Sequence, residues 1–426
     1  MQDSEREGSQ PELNTDEGLG YPGWRIVAGM FVVTAALFGS TIYAFIILAE
    51  HMATERSWSA SSSGNLVSAM WLVSPLALFC APLISRVGPW RVMLSGLAIL
   101  AAAFAVMPAA DSFWQAYLLR MLMGAGKTLA IVSMPVIVAD AFSRRFGLAI
   151  AVAWCGGAFG GLALSPLAEL LVSAFGWRLT ALSLAGLMLA VASMVFALGR
   201  TARAWDARQR RKSVATDDTD TSRTYWARLR GIDAAPATVM ALAVAASGVA
   251  VLAFAIEMPP FLQARGFSPT VAATVLGLSA AGGMIGNLLA GWLLDRWRSE
   301  FTSLAMALTT SAGLLSFAML DSQPLMMVAS AGSLLFGVGL GSAEILWITL
   351  TKRQFGADLF PLTYGGWSFC YSVGYALAGS ARAAANEVLG GTEFLLFIAV
   401  LCAPTLIFSV WRPHVRNHEP ATGVGN

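Results

Sequence analysis

Apolar residues along this chain do not alternate, and they do not recur on one face of a helix. They run in long blocks, broken by short clusters of charge, glycine or proline. Twelve blocks can be marked, over residues 25–50, 60–84, 91–110, 113–139, 146–173, 178–199, 237–262, 269–293, 301–319, 325–350, 359–385 and 391–411. Each approximates the length of a helix that crosses a bilayer, about 20 residues, and none shows the ~10-residue alternation of a membrane barrel. The breaks include Ser85-Arg86-Val87-Gly88-Pro89, Ser143-Arg144-Arg145, Asp295-Arg296-Trp297-Arg298 and Lys352-Arg353. Pro259-Pro260 interrupts the seventh block and predicts a bend there.

The pattern predicts an all-α polytopic membrane protein: twelve transmembrane helices in two six-helix halves. The longest polar stretch separates the halves. The expected division is a cytoplasmic tail over 1–23, a first half over 24–199, a linker over 200–236, a second half over 237–411 and a cytoplasmic tail over 412–426. The linker reads as a solvated segment at an anionic leaflet.

Composition removes other classes. Of 426 residues, 57% are apolar and only 12% are charged, with a mean hydropathy of +0.66. The charged share is about half that of a soluble domain. A disordered chain, a nucleic-acid binder and an ordinary soluble enzyme are excluded. Net charge is +2, but its distribution is informative. With both termini placed in the cytoplasm, 21 of the 27 basic residues fall on cytoplasmic segments. Only Arg56, Arg178 and Arg265 fall outside, and Arg120, Lys127 and Arg382 lie within spans. That bias fits an even number of spans with both ends inside. The first 20 residues are acidic and polar, the reverse of a secretory n-region, so the first span is expected to act as an uncleaved insertion signal.

Reactive chemistry is sparse. Cys80, Cys155, Cys370 and Cys402 are far apart inside apolar blocks, and His51, His414 and His418 lie outside spans or at their edges. No metal site, cofactor site or catalytic dyad is expected. No glycine-rich loop ends in Lys-Ser or Lys-Thr after a strand, so no nucleotide is expected to drive the protein. Gly156-Gly157-Ala158-Phe159-Gly160-Gly161 reads as a helix-packing face.

The two halves echo each other. Leu83-Ile84-Ser85-Arg86 and Leu293-Leu294-Asp295-Arg296 are offset by 210 residues. Met123-Gly124-Ala125-Gly126 and Phe336-Gly337-Val338-Gly339 are offset by 213. Phe146-Gly147 with Gly156-Gly157 matches Phe355-Gly356 with Gly365-Gly366 at an offset of 209. Parallel repeats of this kind occur in transporters that rock two halves about a midplane site.

These residues resemble the major facilitator superfamily over 24–411. Pro82 to Arg91 occupies the place of the family's Gly-x-x-x-Asp-Arg-x-Gly-Arg-Arg loop, with Ser85 where the family has an acid. The second-half counterpart, Gly291-Trp292-Leu293-Leu294-Asp295-Arg296-Trp297, keeps the acid. Arg120-Met-Leu-Met-Gly124-Ala-Gly126 is similar to the family's helix-four pattern. Phe142 to Ala149, Gly156-Gly157, Pro166 and Gly176-Trp177-Arg178 resemble the monocarboxylate and oxalate/formate branches. The resemblance implies alternating access, a cavity lined by helices one, four, seven and ten, and gating contacts at Arg86, Arg91, Asp295 and Arg296. Ser85 cannot form the family's ion pair, which leaves more of the gating to Asp295.

Ionisable side chains within spans cost several kcal/mol and need a reason. Here they are Arg120, Lys127, Glu169, Glu257, Glu344 and Arg382, with Glu50 at the outer end of the first span. Arg120 and Lys127 are seven residues apart, two helical turns, and project from nearly one face with Gly124 between them. Gly124 leaves room there for a small ligand or for close helix packing. Two cations on one face need an anion, either a substrate carboxylate or Glu50, Glu257 or Glu344 as a structural partner. Lys127 and Arg120 are the candidate substrate cations. Glu344 and Glu257 are the candidate proton-coupling groups. Tyr43 and Trp347 are candidate lining residues, and Phe254, Trp367 and Tyr371 could join them or serve packing. Glu169 and Arg382 read as interfacial or packing residues.

The expected function is therefore secondary active transport of a small organic anion, a monocarboxylate, coupled to protons. The expected location is a multi-pass plasma membrane, a bacterial inner membrane. Partners would be the anion, the proton and the lipid bilayer, without nucleic acid or nucleotide. An exporter of amphipathic compounds and a carboxylate antiporter share the fold. A membrane-embedded enzyme is the alternative of another class, and it would need a His, Asp or Cys constellation at membrane depth.

Overall fold

The computed structural model describes residues 20–58, 65–67, 69–142, 144–210, 234–297, 299–321 and 325–410, all helical or in short connections. The expected tails, most of the linker and the side chains of Glu257 and Arg382 lie outside the described residues.

The described residues form ten α-helices. They are α1 (Gly23–Phe38), α2 (Phe45–Glu55), α3 (Leu76–Val87), α4 (Pro89–Val106), α5 (Phe113–Ala141), α6 (Phe146–Arg210), α7 (Ala234–Ala264), α8 (Pro269–Arg296), α9 (Ser299–Ala318) and α10 (Met326–Val410). Within the described residues, the apolar blocks fall on these helices or on the short turns between them. Seven described stretches are long and apolar enough to cross a membrane. An eighth is the pair Asn65–Val73 and Leu76–Val87, bent by 47°.

That number covers the described residues alone, and some helical runs contain more than one of the twelve blocks. Helix α6 is broken at Gly176, whose φ of 79° suits glycine and separates the fifth and sixth blocks. Helix α10 has 85 residues, about 130 Å if straight, several times the thickness of a hydrocarbon core. It folds back on itself. The Phe336 ring stacks on Phe254, while the backbone at Tyr371 and Gly374 lies against Gly248, so both parts of α10 meet one short stretch of α7. Through Pro259-Pro260, α7 remains helical to Ala264. Each proline lacks the amide that would bond the carbonyl four residues earlier, so two bonds of the ladder are missing there.

Glycines set the helix spacing. Any side chain at Gly156 or Gly160 would overlap the backbone of Phe31 or Ala35, so α6 lies against α1 there. Gly96 and Gly126 bring α4 and α5 together in the same way. The interior is apolar, with Met30, Leu37, Phe45, Leu97, Phe104, Met134 and Trp347 fully buried.

A wide helical turn over Gly39–Ala44 joins α1 to α2. Its cause lies in Gly39-Ser40-Thr41. Both hydroxyls turn back onto the helix, Ser40 Oγ donating to Ala36 O and Thr41 Oγ1 to Leu37 O, each at 2.6 Å. Such back-bonding competes with the amide ladder and loosens it. This π-turn carries Tyr43 and presents the Thr41 carbonyl to the interior.

Candidate functional site: a caged lysine facing a carboxyl group

Helix α5 positions both candidate cations. Its start is fixed by Ser112 and Gln115: the Gln115 amide donates to Ser112 Oγ at 3.3 Å, and the Ser112 amide donates to Gln115 Oε1 at 3.2 Å. Arg56 pairs with Asp111 just before this cap at 3.1 Å.

Arg120 is completely buried, at 0% exposure. Its guanidinium donates to Thr41 O at 2.6 Å and to Val67 O at 3.4 Å, and its carbon lies 3.7 Å from the centre of the Phe45 ring. No carboxylate pairs with it among the described residues. Its partners belong to the π-turn and to the segment before α3, so it braces those two elements against α5. Gly124 resolves in favour of close packing, because the Met70 backbone occupies the space a Cβ would need.

Lys127 is 6% exposed, and its ammonium finds no hydrogen-bond partner among the described residues. Two aromatic faces cover it instead. Nζ is 4.4 Å from the centre of Trp71 and 4.7 Å from that of Phe38. Each ring contributes up to about 2 kcal/mol to a desolvated cation, whereas removing an ammonium from water costs several kcal/mol. The rings offset part of that cost, and an anion would offset more.

Glu344, on α10, lies within electrostatic reach of Lys127 and is partly buried. The Tyr371 hydroxyl approaches its carboxyl group, and Tyr375 approaches Tyr371. Tyr43 is 37% exposed and close enough to sense the Glu344 charge, with its ring seated on Gly161. Lys127, Glu344 and Tyr43 are therefore brought together, as their positions in the first, fourth and tenth blocks suggested. Trp347 is not among them: it is at 0% exposure within the apolar interior. Phe254 and Trp367 are likewise buried, at 2% and 3%.

Sequence reasoning missed Phe38, Trp71 and Tyr375. Trp71 and Tyr375 meet across the halves, ring centres 5.2 Å apart. Tyr375 ends a ladder on α10. Phe360 to Tyr364, Tyr364 to Trp367, Trp367 to Tyr371 and Tyr371 to Tyr375 are spaced 5.8, 5.1, 5.3 and 5.0 Å between ring centres. The signal was present as aromatic residues at steps of four, three, four and four, one face of a helix.

Two of the gating candidates, Asp295 and Arg296, lie at a basic junction with the start of α6. The Asp295 carboxylate accepts the Gly147 and Leu148 amides, both at 2.8 Å, and so caps the N-terminus of α6. Lys352 donates to Ala139 O in the last turn of α5 at 3.1 Å and to Phe142 O, just past its end, at 2.7 Å. Arg353 donates to Leu294 O. These bonds join the first half of the chain to the second or hold the segments beside that junction. Arg296 lies 4.8 Å from the centre of Trp292, beside a cavity of about 230 Å³ that Arg144 and Arg145 also line. Arg86 and Arg91 are exposed, without an ion pair among the described residues. Ser85 donates to Pro82 O of its own helix.

A family model of the Major Facilitator Superfamily matches residues 29–379. Monocarboxylate transporter 13 of Rattus norvegicus is 26% identical over 299 residues, 68% of this chain and 65% of the relative. Monocarboxylate transporter 12 of Mus musculus is 32% identical over 173 residues, 39% of this chain and 35% of the relative. The chain thus spans just under two thirds of the first relative's length and about a third of the second's. Among solved structures, the E. coli fucose:proton symporter superposes with a TM-score of 0.66 at 15% identity, covering 89% of this chain and 97% of that one. A proton:xylose symporter gives 0.71 at 12% identity, covering 91% and 94%. The family match over most of the chain establishes that it belongs to the major facilitator superfamily, a family of multi-pass membrane transporters, and the solved structures share its all-helical fold.

Proposed function

We propose that this transporter takes up small monocarboxylates together with protons, alternating access between the two sides of a bacterial inner membrane with both termini in the cytoplasm. The observation that carries the reading is Lys127: a buried ammonium without a hydrogen bond among the described residues, held by two ring faces and facing Glu344. A carboxylate arriving there gains a charge-assisted bond in a poorly solvated site. Glu344 is the proton carrier of the proposal, with Tyr371 as its hydrogen-bonding neighbour. Glu257 is a second candidate proton carrier on α7. Tyr43 lines the site, while Arg120 and Trp347 act behind that surface by holding the π-turn and α10 in place.

The halves would rock about this site. Asp295, Arg296, Arg86 and Arg91 would govern the cytoplasmic end, with Asp295 on the α6 terminus as the principal latch. The similarity to monocarboxylate transporters supports this substrate class, and the electrostatic pairing of Lys127 with Glu344 supports proton coupling.

Uptake of labelled lactate and pyruvate into proteoliposomes, with and without an inward proton gradient, tests the reading. Gradient-stimulated uptake of either acid, above that of liposomes holding the Lys127→Ala protein, is the expected result. Failure of both acids under every gradient and under counter-loading would overturn it.

A further inference from the structure

The walls around Lys127 and Glu344 bear on what the acid's body looks like. A three-carbon acid would need little beyond the cation. Yet Lys127 sits against Phe38 and Trp71, and Trp71 meets Tyr375 across the halves. Tyr375 continues into Tyr371, at 5.0 Å and 48° between ring planes, and Tyr371 into Trp367, at 5.3 Å and 7°. Tyr43 adds an exposed ring on the π-turn. The cation thus stands at the end of a run of ring faces. Trp71, Tyr371 and Tyr375 are all partly exposed, whereas Tyr364 and Trp367, deeper in the ladder, are buried. The exposed end of the ladder is the end beside Lys127.

We infer that the preferred substrate is an arylcarboxylate: an acid whose carboxylate meets Lys127 and whose flat ring lies against Trp71 and Tyr375. This rests on the carboxylate reading proposed above and narrows it. Ring faces reward a planar π-system by offset stacking or edge contact, beyond what they return for apolar area alone. A saturated ring of the same size buries similar area but lacks the quadrupole. Trp71 is then a specificity-determining residue. It touches both the cation and the second half, so its ring must yield to the substrate's or share a face with it.

The test is competition for binding to the purified full-length protein in nanodiscs. Labelled 3-phenyllactate is the probe, with unlabelled 3-phenyllactate, 3-cyclohexyllactate and lactate as competitors. Phenyllactate is expected to compete about tenfold better than cyclohexyllactate, the effect of one or two aromatic contacts. Trp71→Leu and Tyr375→Leu should each bring that ratio towards one. Trp71→Phe and Tyr375→Phe, which keep a ring and the packing, should preserve most of it. Equal competition by the phenyl and cyclohexyl acids in wild type would overturn the inference. So would a ratio unchanged in both leucine variants. Lactate uptake that persists while phenyllactate fails to bind would sink the aryl preference alone. Absence of binding or uptake for all three acids would overturn the carboxylate reading as well.

Discussion

The ammonium of Lys127 lies 4.4 Å from the centre of the Trp71 ring, and no hydrogen bond to it is found among the described residues. A structural lysine at membrane depth is usually paired with a carboxylate; this one is covered by rings, and the carboxyl group whose charge it senses, Glu344, is on a helix of the other half. Lys127→Gln keeps the length of the side chain nearly unchanged and removes the charge. A charged hydrogen bond contributes about 1.5–3 kcal/mol, so kcat/KM for uptake should fall about 10- to 150-fold. Lys127→Arg should restore part of the activity, with an increased KM. Initial-rate uptake measurements decide this, and a Lys127→Gln protein with unaltered kinetics would return Lys127 to a packing role.

Glu344 has a different signature. If it carries the proton, Glu344→Gln removes the coupling but not the passage of substrate. Exchange of labelled for unlabelled acid should persist within about threefold of wild type, while accumulation driven by a proton gradient should vanish. Equal loss of both activities would make Glu344 a binding or folding residue.

Arg120 has the opposite character from Lys127. Its guanidinium is bonded to Thr41 O and Val67 O and stacked on Phe45. Replacing it strands buried carbonyls and leaves a void. Arg120→Gln should lower stability by about 3 kcal/mol, and Arg120→Lys by somewhat less, because a single ammonium cannot replace a planar fork. Thermal unfolding of the detergent-solubilised protein measures this. A variant with wild-type stability and abolished binding would instead place Arg120 at the substrate.

At the basic junction, Asp295 and the glycine pair Gly147 and Gly291 form one device. A Cβ on Gly147 would stand 2.7 Å from Asp295 Oδ1 and 2.8 Å from Gly291 O, so α6 and α8 approach this closely only because both positions are glycine. The capping carboxylate contributes about 1–2 kcal/mol to this junction. Asp295→Asn should raise hydrogen exchange of the amides in the first turn of α6 by about 5- to 30-fold. Gly291→Ala should do the same by separating the helices. Unchanged protection in both variants would remove this contact from the gating scheme.

Much of this was legible in the sequence, and the parts that were not have physical reasons. Block length gave the helices, because lipid demands about 20 apolar residues per crossing whatever their order. The charge cost of the membrane marked Lys127 and Glu344 for the same reason. Asp295 stood out through the repeat. The missed residues, Phe38, Trp71 and Tyr375, are apolar enough to suit lipid, core or site equally well, and nothing local separates those fates. Gly124 could have meant ligand space or helix packing, and only the position of the Met70 backbone decides for packing. The π-turn was hidden because Gly39-Ser40-Thr41 departs from α-geometry through side-chain bonds that periodicity does not encode.

The most direct test of proton-coupled carboxylate uptake follows the proton itself. A pH-sensitive dye trapped inside proteoliposomes would report internal pH after lactate is added outside, with no pH gradient at the start. The account predicts internal acidification that keeps pace with lactate entry in wild type. In Lys127→Gln liposomes it should fall to the rate of passive acid leak, and in Glu344→Gln liposomes exchange should continue without acidification. Carrier-mediated lactate entry in wild type with no acidification beyond that leak would contradict it.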